Sequence, residues 1–256
     1  MKKASENDMA NLWPLFSSLK YDPTLDALIH GYHGAVFCDD LNAPNVAYGH
    51  VGWNYYIVGN ANHEHANTLI QSLPQGIEIH CSEAWKEKMY TLHPLKVTKK
   101  TRYAMDHTSL KKDTLRTIIN QYNDTILIRP IDENMYQTLL TQTWSKDFVI
   151  NFKTKEDFLK NGKGYVALDK TVIAGGVSSF SRFNEGYDIE IITHKQYRRQ
   201  GIATLLGAYF ALQCLKENKI PYWDAAHLQS VALAEKLGYT LDHAYEILVI
   251  QANNHD

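Results

Sequence analysis

Residues 187–217 constrain the fold more than any other stretch of the 256-residue chain. Tyr187 to Thr193 is a run of β-formers ending Ile191-Ile192-Thr193, and a short basic loop follows, His194-Lys195-Gln196-Tyr197-Arg198-Arg199-Gln200. From about Gly201 to Glu217 the chain is an apolar helix, its stripe Leu205, Leu206, Tyr209, Phe210 and Leu212 read as core facing a sheet. A strand that runs through a tight loop into a helix is a building unit of layered α/β or α+β folds. Its junction also has a chemical character. The first helical turn leaves backbone N–H groups without acceptors and carries the positive end of the dipole, which suits a phosphate. Gly201 and Ala203 keep side chains out of the way, while Lys195, Arg198 and Arg199 add positive charge. Taken alone, an Arg-Arg pair before a helix is more readily a solvated surface feature. No Walker loop and no Gly-x-Gly-x-x-Gly follows a strand, so nucleotide hydrolysis and dinucleotide binding lose their usual support.

Around this unit the second half reads as β-α-α-β-β-β-α-β-α-β. Strand patterns cover Thr125 to Pro130, Gly164 to Leu168, Val172 to Ser179, Ile220 to Trp223 and Tyr245 to Ile250. Helical patterns cover Asp132 to Thr143 and Lys155 to Lys160. Ser230 is placed to cap a last helix through Leu237, and Gly238 to end it. The first half mixes both types: helices over Met9 to Leu19 (with Pro14 early), His63 to Leu73 and Glu83 to Tyr90; strands over Gly34 to Phe37, Val46 to Val58, Ile77 to His80 and Leu95 to Met105. Between His107 and Asp124 the composition turns polar, with a short helix around Leu115 to Ile119. Two domains are therefore expected, a smaller α/β domain over 1–124 and a second over 125–256. No repeat of fixed period is visible in the sequence.

With 45% hydrophobic and 21% charged residues the chain can fill a core. A formal net charge of −2 offers no global field for nucleic acid or an anionic membrane, so neither partner is expected and any phosphate site must be local. Cys38, Cys81 and Cys214 are scattered and odd in number, as in a reduced cytoplasmic protein. The polar Ser5-Glu6-Asn7-Asp8 after Met1 is no secretory h-region, and no apolar run reaches membrane-spanning length. No metal site is expected: His63-Glu64-His65 and His30-x-x-His33 lack a companion Cys or Asp at zinc spacing. No Gly-x-Ser-x-Gly elbow supports a serine hydrolase.

Arg198-x-x-Gly201-x-Ala203 after the strand ending Ile191-Ile192-Thr193 resembles the acyl-CoA loop of the GNAT acetyltransferases, with Ala in place of the last Gly. His227-Leu228-Gln229-Ser230 followed by Ala234-Glu235-Lys236-Leu237-Gly238-Tyr239 resembles the family's closing motif. Pro221-Tyr222-Trp223-Asp224-Ala225 is similar to the subgroup that includes the zwittermicin-A resistance acetyltransferase. The motifs lie within 125–250. For 1–124 a degenerate GNAT half is one form the domain can take, since tandem halves are known in the superfamily.

The resemblance implies a mixed, mostly antiparallel sheet flanked by helices, and an acyltransferase moving acetyl from acetyl-CoA to a primary amine of a small molecule in a ternary complex. The loop Arg198, Arg199, Gln200, Gly201, Ile202, Ala203 and Thr204 would hold pyrophosphate, and Ile191, Ile192 and Thr193 the pantetheine amides; His227 and Ser230 would also face the cofactor. A base is then needed, because an ordinary alkylamine is protonated at neutral pH. Glu190 is the first candidate and Asp188 shares its face; Asp224 is the second, as base, as counter-charge to the amine, or simply as a turn residue. Ala234 stands where many members have Tyr, which removes that general acid. A CoA sensor without turnover and a protein N-acetyltransferase remain the other readings. Trp53, Tyr55 and Tyr56 would let the first domain wall the acceptor site or support a homodimer.

Overall fold

The computed structural model describes residues 1–20, 22–92, 97–122 and 126–251. In the first half the elements are β1 (Lys2–Lys3), α1 (Met9–Phe16), α2 (Pro23–Ile29), β2 (Ala35–Cys38), β3 (Val46–Val51), β4 (Asn54–Gly59), α3 (Ala66–Gln71), β5 (Ile77–Cys81), α4 (Glu83–Leu92) and β6 (Val97–Asp106). After α5 (Lys112–Asn120) the second half gives β7 (Ile126–Pro130), α6 (Glu133–Leu140), α7 (Lys155–Asn161), β8 (Gly164–Asp169), β9 (Val172–Arg182), β10 (Gly186–Thr193), α8 (Ile202–Lys216), β11 (Ile220–Ala225), α9 (Leu228–Leu237) and β12 (Thr240–Ile250). The order β-α-α-β-β-β-α-β-α-β therefore occurs twice. It is a repeat of topology, invisible to a search for sequence period because the side chains differ.

The contacts divide the chain into two compact units, Met1–Thr101 with Glu246–Asp256, and Arg102–Tyr245. In the first unit the strands run β1-β2-β3-β4-β5-β12, antiparallel except for β4 beside β5. The second unit runs β7-β8-β9-β10-β11-β6, antiparallel except for β10 beside β11. Both sheets are mixed, and they share one scheme. The sixth position of each is filled by the last strand of the opposite half: Leu248 to Ile250 of β12 pair with β5, and Tyr103 to Met105 of β6 pair with β11. That exchange is why the units divide inside β6 and β12. The boundary expected at residue 124 lies outside the described residues.

The helix read around Leu115 belongs to the second unit. Leu115, Ile118 and Ile119 pack with Ala208, Ala211 and Leu212 of α8 and with Leu237 of α9. The opposite side of α8 sends Ile202, Leu206, Phe210 and Cys214 onto Ala167, Ala174 and Val177 of the sheet. With partners on both sides, α8 is buried at Leu205 through Ala208 and again at Phe210 through Leu212. At roughly 1.5–3 kcal/mol per large apolar side chain, this helix is the axis of the unit's core. On the sheet's other face Tyr136 and Leu139 of α6, Phe158 of α7, and Phe148 and Phe152 between them pack over Val166 and Ile173. The first unit has its own core of Val46, Ile57, Leu69, Ile70, Ile79, Trp85, Met89 and Leu248.

Most expected elements are present within a few residues. The long strand read over Val46 to Val58 is a hairpin, β3 and β4, turned at Gly52-Trp53. Helix α2 was not expected, although Asp22 caps it by accepting from the Leu25 N–H and Pro23 opens it. Pro14 sits in the second turn of α1, not early, so one intrahelical bond is forfeited there. Tyr56 is core, stacked on His80 with its hydroxyl donating to Asp22, whereas Tyr55 is half-buried among the stacked rings of Tyr48 and His50. Among the described residues no helix is long and apolar enough to cross a membrane.

Candidate active site

β10 and β11 begin side by side and then part. Their register runs Gly186 to Ile220, Tyr187 to Pro221 and Asp188 to Tyr222, and stops. Beyond it β11 turns its other edge to β6, through Trp223, Asp224 and Ala225. β10 stays bonded to β9 as far as Thr193, across a bulge in which Phe180 of β9 is the extra residue between Ser179 and Ser181. From Ile189 to Thr193 the β11-facing edge of β10 thus has no strand partner among the described residues. A notch opens there, with backbone N–H and C=O groups along one wall.

The faces of β10 are sorted by alternation. Ile189 and Ile191 turn towards α8 and the clusters around it. Ile192 turns the other way and packs with Phe148 and its neighbours. Glu190 lies on that second face, opposite Ser178 in the ladder. Burial raises its carboxyl pKa to about 8, and the charges of Asp147 and Asp188 push in the same direction. Its Oε2 is buried and has no hydrogen-bond partner among the described residues. Asp147 arrives on the 3-10 turn Lys146–Phe148, which Gly176 admits: a Cβ there would stand 2.6 Å from the Phe148 ring. The sequence gives no sign of this turn. Asp188, expected on the same face as Glu190, acts on it as a like charge, with Asp147 as a third carboxylate.

Asp224, the second base candidate, stands on the other arm of the notch, on β11 and not in a turn. Arg102 donates from Nε to its Oδ1 at 3.0 Å, and Tyr245 donates to its Oδ2. With 13% of the Arg102 side chain and 11% of Asp224 exposed, this is a nearly buried ion pair. Its charge is already matched, so an incoming amine finds little unspent charge on it. Neither Arg102 nor Tyr245 was singled out in the sequence, because each lies more than twenty residues or a whole half away from Asp224.

At the end of β10 the loop passes through the 3-10 turn Lys195–Tyr197 and enters α8. The Tyr197 hydroxyl donates to Asp169 at 3.0 Å, and the Gln200 side-chain amide donates to the Gln196 carbonyl. Arg199 and Gly201 both take positive φ, 64° and 83°. The left-handed pair swings the chain so that α8 starts sharply, with Leu205 N–H donating to the Gly201 carbonyl at 3.0 Å. The N–H groups of Ile202, Ala203 and Thr204 precede that bond and have no carbonyl one turn back. Lys195, Arg198 and Arg199 are exposed, and no carboxylate among the described residues pairs with them. Tyr122, just after α5, leans on the same turn: a Cβ at Gly201 would meet its hydroxyl and lie 2.7 Å from its ring. Gly201 is therefore required twice over, by backbone conformation and by space.

The closing motif folds differently in detail from its sequence reading. The N-cap of α9 is His227, whose Nδ1 accepts from the Ser230 N–H at 3.1 Å; Ser230 is one turn in, not the cap. The Ser230 hydroxyl instead accepts from Trp223 Nε1 at 3.1 Å. Gly238 ends the helix at φ 106°, and the Tyr239 hydroxyl reaches the Pro221 carbonyl at 2.7 Å. Ala234 is fully buried, so no side chain there reaches a ligand.

A mixed sheet flanked by helices, with a single parallel step that opens beside a strand-to-helix turn, defines an α/β fold of the acyltransferase type. The sequence matches the family model described as GNAT acetyltransferase over residues 13–248, and the chain belongs to that family. The match begins far ahead of the motifs in 125–250 and takes in most of the first unit as well. An uncharacterised N-acetyltransferase of Bacillus subtilis strain 168, YdfB, is 22% identical over 96% of this chain and 97% of its own. A GCN5-related N-acetyltransferase-like protein from Streptococcus suis 89/1591 superposes with a TM-score of 0.84 at 28% identity, covering 96% of this chain and 99% of that one. A tandem GNAT protein from the clavulanic acid biosynthesis pathway shares the fold at a TM-score of 0.56 and 10% identity, covering 97% of each chain. The protein is thus an acyltransferase of this family.

Proposed function

We propose that the protein is an acetyl-CoA-dependent N-acetyltransferase acting on a primary amine of a small molecule. The observation that carries the reading is the notch between β10 and β11, with the Oε2 of Glu190 buried and unpartnered beside it. The pyrophosphate of acetyl-CoA lies against the N–H groups of Ile202, Ala203 and Thr204, with Arg198 and Arg199 beside it. The pantetheine arm runs along the open edge of Ile191, Ile192 and Thr193, and brings the thioester to the mouth of the notch.

The amine enters from the face of Glu190. Its ammonium proton passes to the Glu190 carboxylate, directly or through a water, and the free amine attacks the thioester carbonyl carbon. A β10 backbone N–H faces the oxyanion that forms. The C–S bond then breaks, the nitrogen gives its remaining surplus proton to solvent as the neutral amide is released, and CoA leaves as a thiolate that takes a proton from solvent in turn. With a thiol pKa of roughly 8.5 that departure needs little help, so Ala234 in place of a tyrosine is tolerable. Asp224, clamped by Arg102 and Tyr245, holds the second arm of the notch in place.

The likeness of Pro221-Tyr222-Trp223-Asp224-Ala225 to a resistance-acetyltransferase subgroup supports a small molecule over a protein acceptor. The test is purified protein with acetyl-CoA and a panel of polyamines and aminoglycosides, following thiol release. Release with at least one amine supports the proposal. Cofactor binding without release on every amine favours a CoA sensor, the reading that buried Ala234 keeps in play.

A further inference from the structure

We infer that Asp39, His63 and His65 form a binding site for a divalent transition-metal ion such as zinc, in the first unit. The sequence offers the two histidines without a third ligand, and no metal was expected of them. The fold supplies Asp39 from the end of β2. One ligand atom from each of the three residues lies within 4.8 Å of the others. The His65 Nδ1 stands 3.5 Å and the His63 Nδ1 3.8 Å from Oδ2 of Asp39. Those separations are long for hydrogen bonds. They approach the roughly 3.3 Å between neighbouring ligands on a tetrahedral ion with bonds of about 2.0–2.1 Å.

The carboxylate is set up as a ligand. Oδ1 accepts from the Asn45 N–H at 2.9 Å and the Val46 N–H at 3.2 Å, and the Asn45 side chain donates to Oδ2 at 3.2 Å. Orientation by such outer partners is what metal-binding carboxylates require. The Asp39 side chain is 3% exposed, the imidazoles 24% and 50%, so the ion would enter from the histidine side, with water completing its shell. The hydrogen bonds already made by the ligand atoms are weak, a 3.4 Å contact from the His65 N–H to His63 Nδ1 and the 3.2 Å contact from Asn45 to Oδ2.

The repeated topology gives a second, independent reason. The turn from β4 into α3 corresponds to the turn from β10 into α8, and the end of β2 to the end of β8. In the second unit Asp169 at the end of β8 accepts from Tyr197 in the basic turn. In the first unit Asp39 takes the place of Asp169, while His63-Glu64-His65 replaces the arginines. The turn from Asn60 to His65 therefore carries no lysine or arginine for an anion, and it brings two imidazoles to a carboxylate that together suit a metal.

The test uses full-length protein without a histidine tag, stripped with chelator and titrated with zinc chloride by calorimetry, alongside His63→Gln, His65→Gln and the double variant. One equivalent is expected to bind the parent at Asp39, with a rise in Tm. Each single substitution should weaken it at least about tenfold, the lower end of what losing even an outer-shell partner costs. The double variant should lose that equivalent while keeping its circular dichroism. Zinc uptake unchanged in the double variant, or no uptake by the parent, overturns the inference. A zinc-edge anomalous map of crystals grown with the ion should place its peak between these three side chains; a peak elsewhere overturns it equally.

Discussion

Glu190 of β10 stands directly across the ladder from Ser178 of β9, and two polar atoms of this pair, Oε2 and Oγ, are buried without hydrogen-bond partners among the described residues. Orphaned polar atoms normally cost a fold stability, and such a pair side by side marks a place prepared for a ligand or for water. Burial and two neighbouring carboxylates make the position more expensive still for a charge.

That expense has a pH signature. The folded carboxyl titrates at about 8 and the ordinary one at 4.5. Between these values the folded state holds a proton that the unfolded state has released, so stability falls as pH rises and the full penalty is present above about 8. Glu190→Gln removes the penalty. Its Tm should exceed that of the parent at alkaline pH by an amount worth on the order of a few kcal/mol, and match it near the pKa of a free carboxyl. Equal Tm at all pH would mean that the side chain is solvated.

Ala203→Asp separates anion binding from folding. A carboxylate in the first turn of α8 favours the helix dipole, worth about 0.3–1 kcal/mol, so Tm should hold or rise. The same carboxylate would occupy the position proposed for the phosphate, and affinity for coenzyme A by calorimetry should drop tenfold or more, about 1.4 kcal/mol. Gly201→Asp would be less clean, since Tyr122 and the positive φ make it a packing defect as well. Unchanged affinity in Ala203→Asp would move the pyrophosphate elsewhere.

Asp224 is assigned to architecture. Asp224→Asn leaves Arg102 nearly buried without its counter-charge, and urea unfolding should show a loss of about 3 kcal/mol. A variant of parental stability whose turnover collapses would instead make Asp224 the base.

His227→Asn should keep the α9 cap and the parental Tm, whereas His227→Ala should cost about 1 kcal/mol. If kcat falls in the Asn variant at unchanged Tm, His227 has a role in catalysis beyond capping.

The strand-loop-helix run at Tyr187 to Glu217 was legible because its signals are local: β-formers, a glycine at the turn, apolar spacing. Glu190 was legible for the same reason, as a carboxylate between isoleucines. What surrounds it was not. Asp147 and Phe148 reach β10 through a turn with no motif, and Gly176 admits them by lacking a side chain. Arg102 finds Asp224 because β6 pairs with β11 in the second unit's sheet, and Tyr245 reaches it from the part of β12 that belongs to the same unit. Asp39 meets His63 and His65 by hairpin closure, which spacing along the chain does not encode. Ser230 reads as the cap of α9 in the sequence, but His227 fills that place, since an imidazole caps less commonly than a hydroxyl. Helix α2 carries an ordinary start signal in Asp22-Pro23, so its position is legible in the sequence as well.

The most direct measurement is the pH dependence of kcat/KM for thiol release from acetyl-CoA with an accepted amine, in the parent and in Glu190→Gln. The parent should rise with pH through an apparent pKa near 8, where Glu190 becomes the free carboxylate. Glu190→Gln should be slower and should lose that limb, leaving only the titration of the amine itself. Identical profiles for the two proteins would contradict the role given to Glu190 and the reading of the notch built on it.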